Sequence, residues 1–249
     1  MKKIESRESF EVLCQNSAEK MFKDLDLLEN ALDVKVRAGH EYMYVHQTRW
    51  MGEPCLQLPS DLIALQEIIF KTKPDFIIEC GVAWGGTTLF LASLMKLTGG
   101  KKVIGIDIFL PEDLITRIKK HEQVSDIIHL INGSTIEQST LDKVNSIVNK
   151  SDKVMVILDS DHTHDHVLAE LKLYSTLVGQ GQYLVCSDTA IARQPPAPKR
   201  PRAWNSENNP HTALQNFLSS NYGQNFSPDL LIDHKLLMSN NWGGYLVKL

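Results

Sequence analysis

"DFIIECGVAWGGTTLFLASLMKL" (residues 75–97) holds a short apolar run, a glycine-rich turn and a stretch of helical period. The run 75–80 is bounded by Pro74 and Gly81 and is β-rich, as a strand buried on both faces must be. The segment after the turn places Leu89, Ala92, Leu94 and Leu97 at helical spacing. Strand, tight turn and helix in this order form the repeating unit of a parallel α/β sheet. Gly81, Gly85 and Gly86 carry no Cβ, so a small ligand can approach the backbone there. Thr87 and Thr88 stand where a helix N-terminus offers free N–H groups to a carboxylate or phosphate. The spacing is not that of a dinucleotide fingerprint, and a glycine turn equally serves packing.

The same unit recurs. "KVIGIDI" (102–108), "IIHLI" (127–131), "KVMVILDS" (153–160) and "QYLVCSD" (182–188) read as further strands. Helical runs follow at 114–121, 140–150 and 166–178. Five such strands predict a parallel sheet with helices on both faces and right-handed crossovers. After Thr189 the rhythm breaks. "ARQPPAPKRPRAWNSENNP" carries five prolines and must be a loop or lid. "HTALQNFLSSN" then reads as a helix, and "LLIDHKLLM" with "GGYLVKL" as an antiparallel hairpin about the turn "SNNWGG". Seven strands ending in an antiparallel pair match the Rossmann-like layout of class I S-adenosylmethionine-dependent methyltransferases. Residues 1–58 read as an N-terminal helical segment with lid or oligomer contacts, and 59–249 as the catalytic domain. "AEKMFKDLDLLENAL" (18–32) predicts one amphipathic helix, and 58–72 a second that Ser60 or Asp61 caps.

The 249 residues fit one sizeable α/β domain with an added segment. A formal net charge of −4 gives no basis for nucleic-acid binding. Cys14, Cys55, Cys80 and Cys186 form no CxxC pair, which implies a reduced, cytoplasmic chain. No stretch approaches the ~20 apolar residues of a membrane span.

Chemistry concentrates at strand ends. Asp107 closes the second strand, where an acid accepts hydrogen bonds from a ribose diol or caps a helix. Gly133 and Ser134 close the third, beside the position of an adenine ring in that layout. Asp159 closes the fourth strand and Asp188 the fifth. Neighbouring strands lie ~4.8 Å apart, so the two carboxylates can converge on one hard cation such as Mg²⁺. His162, three residues past Asp159, is placed to act as general base, with an unperturbed pKa of about 6.5. Asp161 and Thr163 equally serve as helix caps, and His164 and His166 read as residues without a direct catalytic role. A rival is an iron site of two histidines and one carboxylate drawn from Asp159, His162, His164 and His166, although histidines at alternate positions do not share a helix face.

The stretches 49–94, 102–108, 130–137 and above all "VILDSDHTHDHVLAELKLYSTLV" (156–178), with "AWNSENNPHTALQNFL" (203–218), resemble the cephalosporin hydroxylase family. That family has a Rossmann-like methyltransferase fold and is related to macrolide-sugar and rhamnosyl O-methyltransferases. The resemblance implies S-adenosylmethionine at the turn formed by Glu79, Gly81, Trp84, Gly85, Gly86 and Thr87, with Asp107 on the ribose and Ser134 and Asp159 nearby. It implies Mg²⁺ on Asp159 and Asp188, and His162 as base. Relatives often carry two adjacent acid or amide ligands where this chain has Ser187-Asp188, and a serine is a poor ligand.

The proline-rich lid carries Arg193, Lys199, Arg200 and Arg202 with no acid between them. Such a lid suits an anionic small-molecule or glycan acceptor, and Trp204 can stack on a sugar. The expected activity is Mg²⁺-dependent methylation of a sugar hydroxyl by a homo-oligomer. The alternatives are a non-heme iron oxygenase and a noncatalytic S-adenosylmethionine-binding subunit.

Overall fold

The computed structural model describes residues 6–196 and 200–249, so Lys199 of the cationic run lies outside the described residues. Two helices come first, α1 (Arg7–Lys23) and α2 (Leu25–Tyr42). The single helix expected over 18–32 is broken at Asp24, whose carboxylate accepts from Leu27 N at 3.1 Å and starts α2. A two-stranded ribbon follows, β1 (Arg49–Trp50) and β2 (Glu53–Pro54), then α3 (Pro59–Thr72). The repeating units are β3 (Phe76–Cys80), α4 (Gly86–Thr98), β4 (Lys102–Asp107), α5 (Glu112–Lys119), β5 (Ile128–Asn132), α6 (Gln138–Asn145), β6 (Val154–Leu158), α7 (His164–Tyr174) and β7 (Tyr183–Cys186). The chain closes with α8 (Pro210–Leu218), β8 (Phe226–Pro228), α9 (Leu230–Lys235) and β9 (Tyr245–Lys248).

The main sheet has seven strands in the order β5-β4-β3-β6-β7-β9-β8. The first five are parallel, and β9 runs antiparallel to both β7 and β8. The sheet is thus mostly parallel with an antiparallel C-terminal pair, the layout expected from the sequence. Strand alternation builds two cores. Ile77, Val103, Met155 and Val185 face Leu65, Leu89 and Ile118 of α3, α4 and α5. Ile78, Ile104, Val156 and Leu184 face Val144, Leu171 and Phe217 of α6, α7 and α8.

Two local expectations are corrected. "LLIDHKLLM" is not a hairpin arm: its first six residues are α9, started by the Asp229 carboxylate on Leu231 N, and the strand lies earlier, at Phe226–Pro228. Ile232 and Leu236 are both buried, a helical spacing of four that outweighs the β-like composition. Neither Ser60 nor Asp61 caps α3, which starts from Leu58 with Pro59 in its first turn. The Ser60 hydroxyl donates instead to Met238 O. Asp61 is fully buried, and its carboxylate accepts from the Ser239 hydroxyl, the Tyr245 hydroxyl and Asn240 N. Burial pushes this carboxyl up in pKa, against the pull of those three donors. One buried acid thus ties α3 to the turn before β9.

The register sets the rim. Cys80 pairs with both Ile106 and Leu158, and Leu158 pairs with Cys186, so Gly81, Asp107, Asp159 and Ser187 follow at one level. Gly81 has φ +99°, and a Cβ there would sit 2.1 Å from Asp159 O. A Cβ on Gly86 would sit 2.2 Å from Pro54 O, so the ribbon packs directly on the first turn of α4. Both glycines are required by packing whatever else they serve. Beneath the turn, buried Glu79 accepts from the Thr88 hydroxyl. Burial, reinforced by the Asp107 charge and opposed by Thr88, pushes Glu79 up to about 8, so it is protonated at neutral pH.

Asp61→Asn leaves an amide NH₂ against an N–H or hydroxyl donor and should cost roughly 1–3 kcal/mol in urea denaturation. For Glu79 the folded pKa lies above the ordinary value. The stability linked to it is therefore full below about pH 4.5 and lost as pH rises towards about 8, at up to about 1.4 kcal/mol per unit. Glu79→Gln removes that slope, so its melting temperature relative to the wild type should climb between about pH 5 and 8. A pH-independent difference between the two proteins would contradict a protonated Glu79.

Candidate active site

Three side chains from separate segments meet on the carboxyl rim of the sheet. Asp159 follows β6, with its N–H donating to Cys80 O at 2.8 Å. Asp188 lies two residues beyond β7 rather than at its end, in the left-handed region at φ 56°. That conformation is tolerated best by Gly, Asn and Asp. The Asp188 N–H donates to Asn241 Oδ1 at 2.9 Å, and Thr189 Oγ1 donates to Trp242 O at 2.7 Å. Asn241 is itself buried and donates to the Ser239 hydroxyl, which reaches Asp61. A chain of hydrogen bonds from α3 therefore holds the Asp188 backbone.

His162 sits in the turn before α7. Asp161 Oδ1 accepts from Thr163 N at 2.7 Å and folds this turn, but neither residue caps α7 as expected, since its N-cap Thr163 makes no side-chain cap hydrogen bond. One ligand atom from each of Asp159, His162 and Asp188 lies within 4.8 Å of the others, and His162 Nε2 is 3.3 Å from Asp188 Oδ2. Burial first, then the charge of Asp188, drive Asp159 well above the usual carboxylate range. Gln57 Nε2 donates to Asp159 Oδ2 at 2.7 Å and fixes that oxygen. Two acids that crowd each other beside an imidazole form a donor set a divalent cation fits, because the cation removes the repulsion. The Ser187 hydroxyl is buried and has no hydrogen-bond partner.

The other histidines of the run point elsewhere. His164 Nδ1 meets Thr212 Oγ1 at 2.8 Å and its Nε2 meets Asn216, which docks α7 on α8. His166 Nε2 meets Thr135 Oγ1 at 3.0 Å and Ser160 Oγ at 3.2 Å, with Glu170 at 3.4 Å raising its pKa. Among the described residues this run brings only one histidine to the two acids, not the two that the iron arrangement needs.

The remaining candidates line the rim beside this group. Asp107 Oδ2 accepts from Val82 N at 2.9 Å and Ala83 N at 3.1 Å, and Oδ1 accepts from Phe109 N at 2.9 Å. It shapes the glycine turn and keeps lone pairs for a further donor. Gly85 is left-handed and packs on Ile118, and the Thr87 hydroxyl is 3.5 Å from Cys55 Sγ. Ser134 is half-buried after β5. Trp84 is 54% exposed, Ile108 74% and Phe109 71%, so large apolar side chains stand in water on one rim of the crevice. A flat ring would cover them.

From the proline-rich loop, Trp204 sets its ring edge-on to His162 with centroids 4.6 Å apart, and the Arg202 guanidinium stacks over Trp204 at 5.0 Å. Arg200 Nη1 lies 3.4 Å from His46 Nε2. Arg193 and Lys35 flank Trp242, each 5.4 Å from its ring. Lys35, buried on α2, donates to Ser239 O at 2.8 Å. Sequence reading did not single out Gln57, Lys35, His46 or Asn241. Gln57 carried a faint signal, a polar residue alternating with Leu56 and Leu58, whereas the others acquire their roles only through contacts distant in sequence.

The sequence model of the family described as "Rhamnosyl O-methyltransferase/CmcI" matches residues 42–249. The rhamnosyl O-methyltransferase of Mycobacterium leprae (strain TN) is 35% identical over 154 residues, 61% of this chain and 65% of that protein. That of Mycobacterium bovis (strain BCG / Pasteur 1173P2) is 30% identical over 172 residues, 67% and 68%. The chain thus spans about two thirds of the length of these curated relatives. Among solved structures, the CmcI apo-structure superposes with a TM-score of 0.57 at 21% identity, over 82% of this chain and 77% of that one. The Mg–SAM form of CmcI gives 0.55 at 19% identity, again over 82% and 77%. At that identity the structural likeness speaks for the fold, while the matched sequence carries the family. The chain belongs to the rhamnosyl O-methyltransferase/CmcI family.

Proposed function

We propose that the protein transfers a methyl group from S-adenosylmethionine to a hydroxyl of a sugar, with Mg²⁺ or a similar divalent cation in the site. The observation that carries this reading is the convergence of Asp159, His162 and Asp188 within 4.8 Å on the rim that also bears the glycine turn. The family description and the names of the curated relatives support the sugar acceptor. Asp159 and Asp188 would hold the cation, and the Gly81–Thr87 turn, Asp107 and Ser134 would hold the S-adenosylmethionine, with Trp84 covering it. When bound, the sulfonium supplies an electrophilic methyl group and the cation a Lewis acid that lowers the pKa of a hydroxyl.

The protein's own groups do the rest. Gln57 and the Asn241 chain keep the two carboxylates from turning away from each other. His162 Nε2 faces the same point as both carboxylates, so it is the atom that receives the acceptor proton. Asp188 Oδ2, 3.3 Å away, then stabilises the imidazolium. Trp204 packs on the outer edge of that ring and excludes water. Holding donor and acceptor in line accounts for much of the rate gain.

The lid residues Arg200 and Arg202 support a negatively charged acceptor. Exposed Phe10, Val12 and Leu13 on α1 support the homo-oligomer, which light scattering tests. No helix among the described residues is long and apolar enough to cross a membrane. With Cys55, Cys80 and Cys186 buried and free, a reducing cytoplasmic setting is part of the proposal.

Purified protein incubated with S-adenosylmethionine and a panel of rhamnosyl and related glycosides should add one methyl group by mass spectrometry, and chelator should stop it. Bound iron with oxygen consumption instead would sink this reading. Asp159→Ala and Asp188→Ala should each weaken Mn²⁺ binding at least tenfold by electron paramagnetic resonance, with S-adenosylmethionine affinity within about threefold of wild type. Asn241→Ala should weaken Mn²⁺ binding by a smaller factor, because it releases the Asp188 backbone and leaves the carboxylate in place. His162→Ala should lower kcat by roughly 10²–10⁴-fold.

A further inference from the structure

Arg200 and Arg202 carry positive charge at the mouth of the site, and among the described residues neither forms an ion pair with a carboxylate. Acids are not scarce, since the chain has 30 Asp and Glu against 26 Lys and Arg. Arg7 holds Glu11, and Arg117 holds Glu53 and Asp113, whereas Arg37, Arg49 and Arg193 likewise form no ion pair among the described residues; what sets Arg200 and Arg202 apart is their place beside His46 and Trp204. Arg200 meets an imidazole, with Arg200 Nη1 3.4 Å from His46 Nε2. The other ring nitrogen, His46 Nδ1, is buried without any hydrogen-bond partner. Burial, then the charges of Arg200 and Arg202, depress the His46 pKa. His46, 154 positions from Arg200 in sequence, meets two guanidiniums that are two positions apart and raise each other's positive potential with no paired carboxylate among the described residues, and such a cluster attracts an anion.

We propose that Arg200, Arg202 and His46 form a subsite for the phosphate or diphosphate of a phosphorylated sugar, with Trp204 as the spacer between that anion and His162. The proposal rests on the sugar O-methyltransferase reading and deepens it by naming the charged part of the acceptor. A carboxylate is satisfied by one bidentate guanidinium. His46 Nε2 accepts from Arg200 and so orients that guanidinium, and the two guanidiniums together present more N–H donors than a carboxylate can accept, which matches the several oxygens of a phosphate or diphosphate. Arg202 already lies on one face of Trp204, and the indole edge touches His162. A sugar running along the indole would therefore have its anionic end at the guanidiniums and a hydroxyl at the proton-accepting nitrogen. His46 belongs to the N-terminal segment, so this subsite makes that segment part of the acceptor site.

The test needs neither turnover nor S-adenosylmethionine. Pyrophosphate is titrated calorimetrically into the full-length protein in chelator, so that no metal ion bridges it to the carboxylates. The wild type is compared with R200Q/R202Q and with H46Q. Binding should weaken at least tenfold in the double variant and at least threefold in H46Q, with melting temperature and Mn²⁺ affinity unchanged. Glucose 1-phosphate and uridine diphosphate glucose should each bind at least tenfold more tightly than glucose, and the tighter of the two identifies a monophosphate or a diphosphate source. Equal pyrophosphate affinity in the wild type and double variant overturns the proposal. So does glucuronate binding as tightly as pyrophosphate, or no measurable pyrophosphate binding to the wild type. Pyrophosphate binding with no methyl transfer to any sugar leaves the subsite standing and removes the methyltransferase reading alone.

Discussion

Two carboxylates held against their own repulsion are the constraint around which the rest of the molecule is arranged. Asp159 and Asp188 follow neighbouring strands whose register is fixed by the pairing of Leu158 with Cys186. Sheet hydrogen bonding leaves little freedom to separate their backbones. The side chains would still swing apart if nothing held them. Gln57 pins one carboxylate directly, and Asn241 pins the main chain of the other. The cost is visible in Asp159, whose proton affinity rises because burial and a neighbouring negative charge both disfavour ionisation. Asp107 stands apart from this pair and accepts from three backbone N–H groups.

The supports come from both sides of the sheet's sequence order. From the N-terminal segment come Gln57 on Asp159, Lys35 on Ser239 and the ribbon laid on Gly86. From the turn before β9 come Asn241 and the carbonyls that anchor Thr189. Asp61 joins the two, being on α3 yet bonded to Ser239, Asn240 and Tyr245. The N-terminal helices are thus part of the frame of the site.

Much of this was legible in the sequence. The parallel strands announced themselves because doubly buried strands are apolar throughout, and the glycine turn because close backbone approach leaves few alternatives. The approach of Asp159 and Asp188 was expected from strand spacing and that of His162 from its place three residues past Asp159, although Asp188 lies further past its strand than expected. Asp61 looks like a helix cap locally, and its partners lie 178 and 179 positions away. "LLIDHKLLM" reads as β by composition, and only the burial of Ile232 with Leu236 and the Asp229 cap decide for a helix. The glycines were ambiguous for a different reason: Gly81 and Gly86 satisfy a packing need that is sufficient by itself, so their presence does not discriminate between a ligand and a neighbour.

The hydrogen bond from Asp188 to Asn241 spans 53 positions. On a ribosome this separation becomes a delay. All five parallel strands can emerge and pair while Asp188 still lacks its anchor, and for that interval two mutually repelling acids face an unfinished edge. A nascent chain at that stage has a sheet but no fixed spacing between the two carboxylates, so their approach must trail sheet formation instead of guiding it.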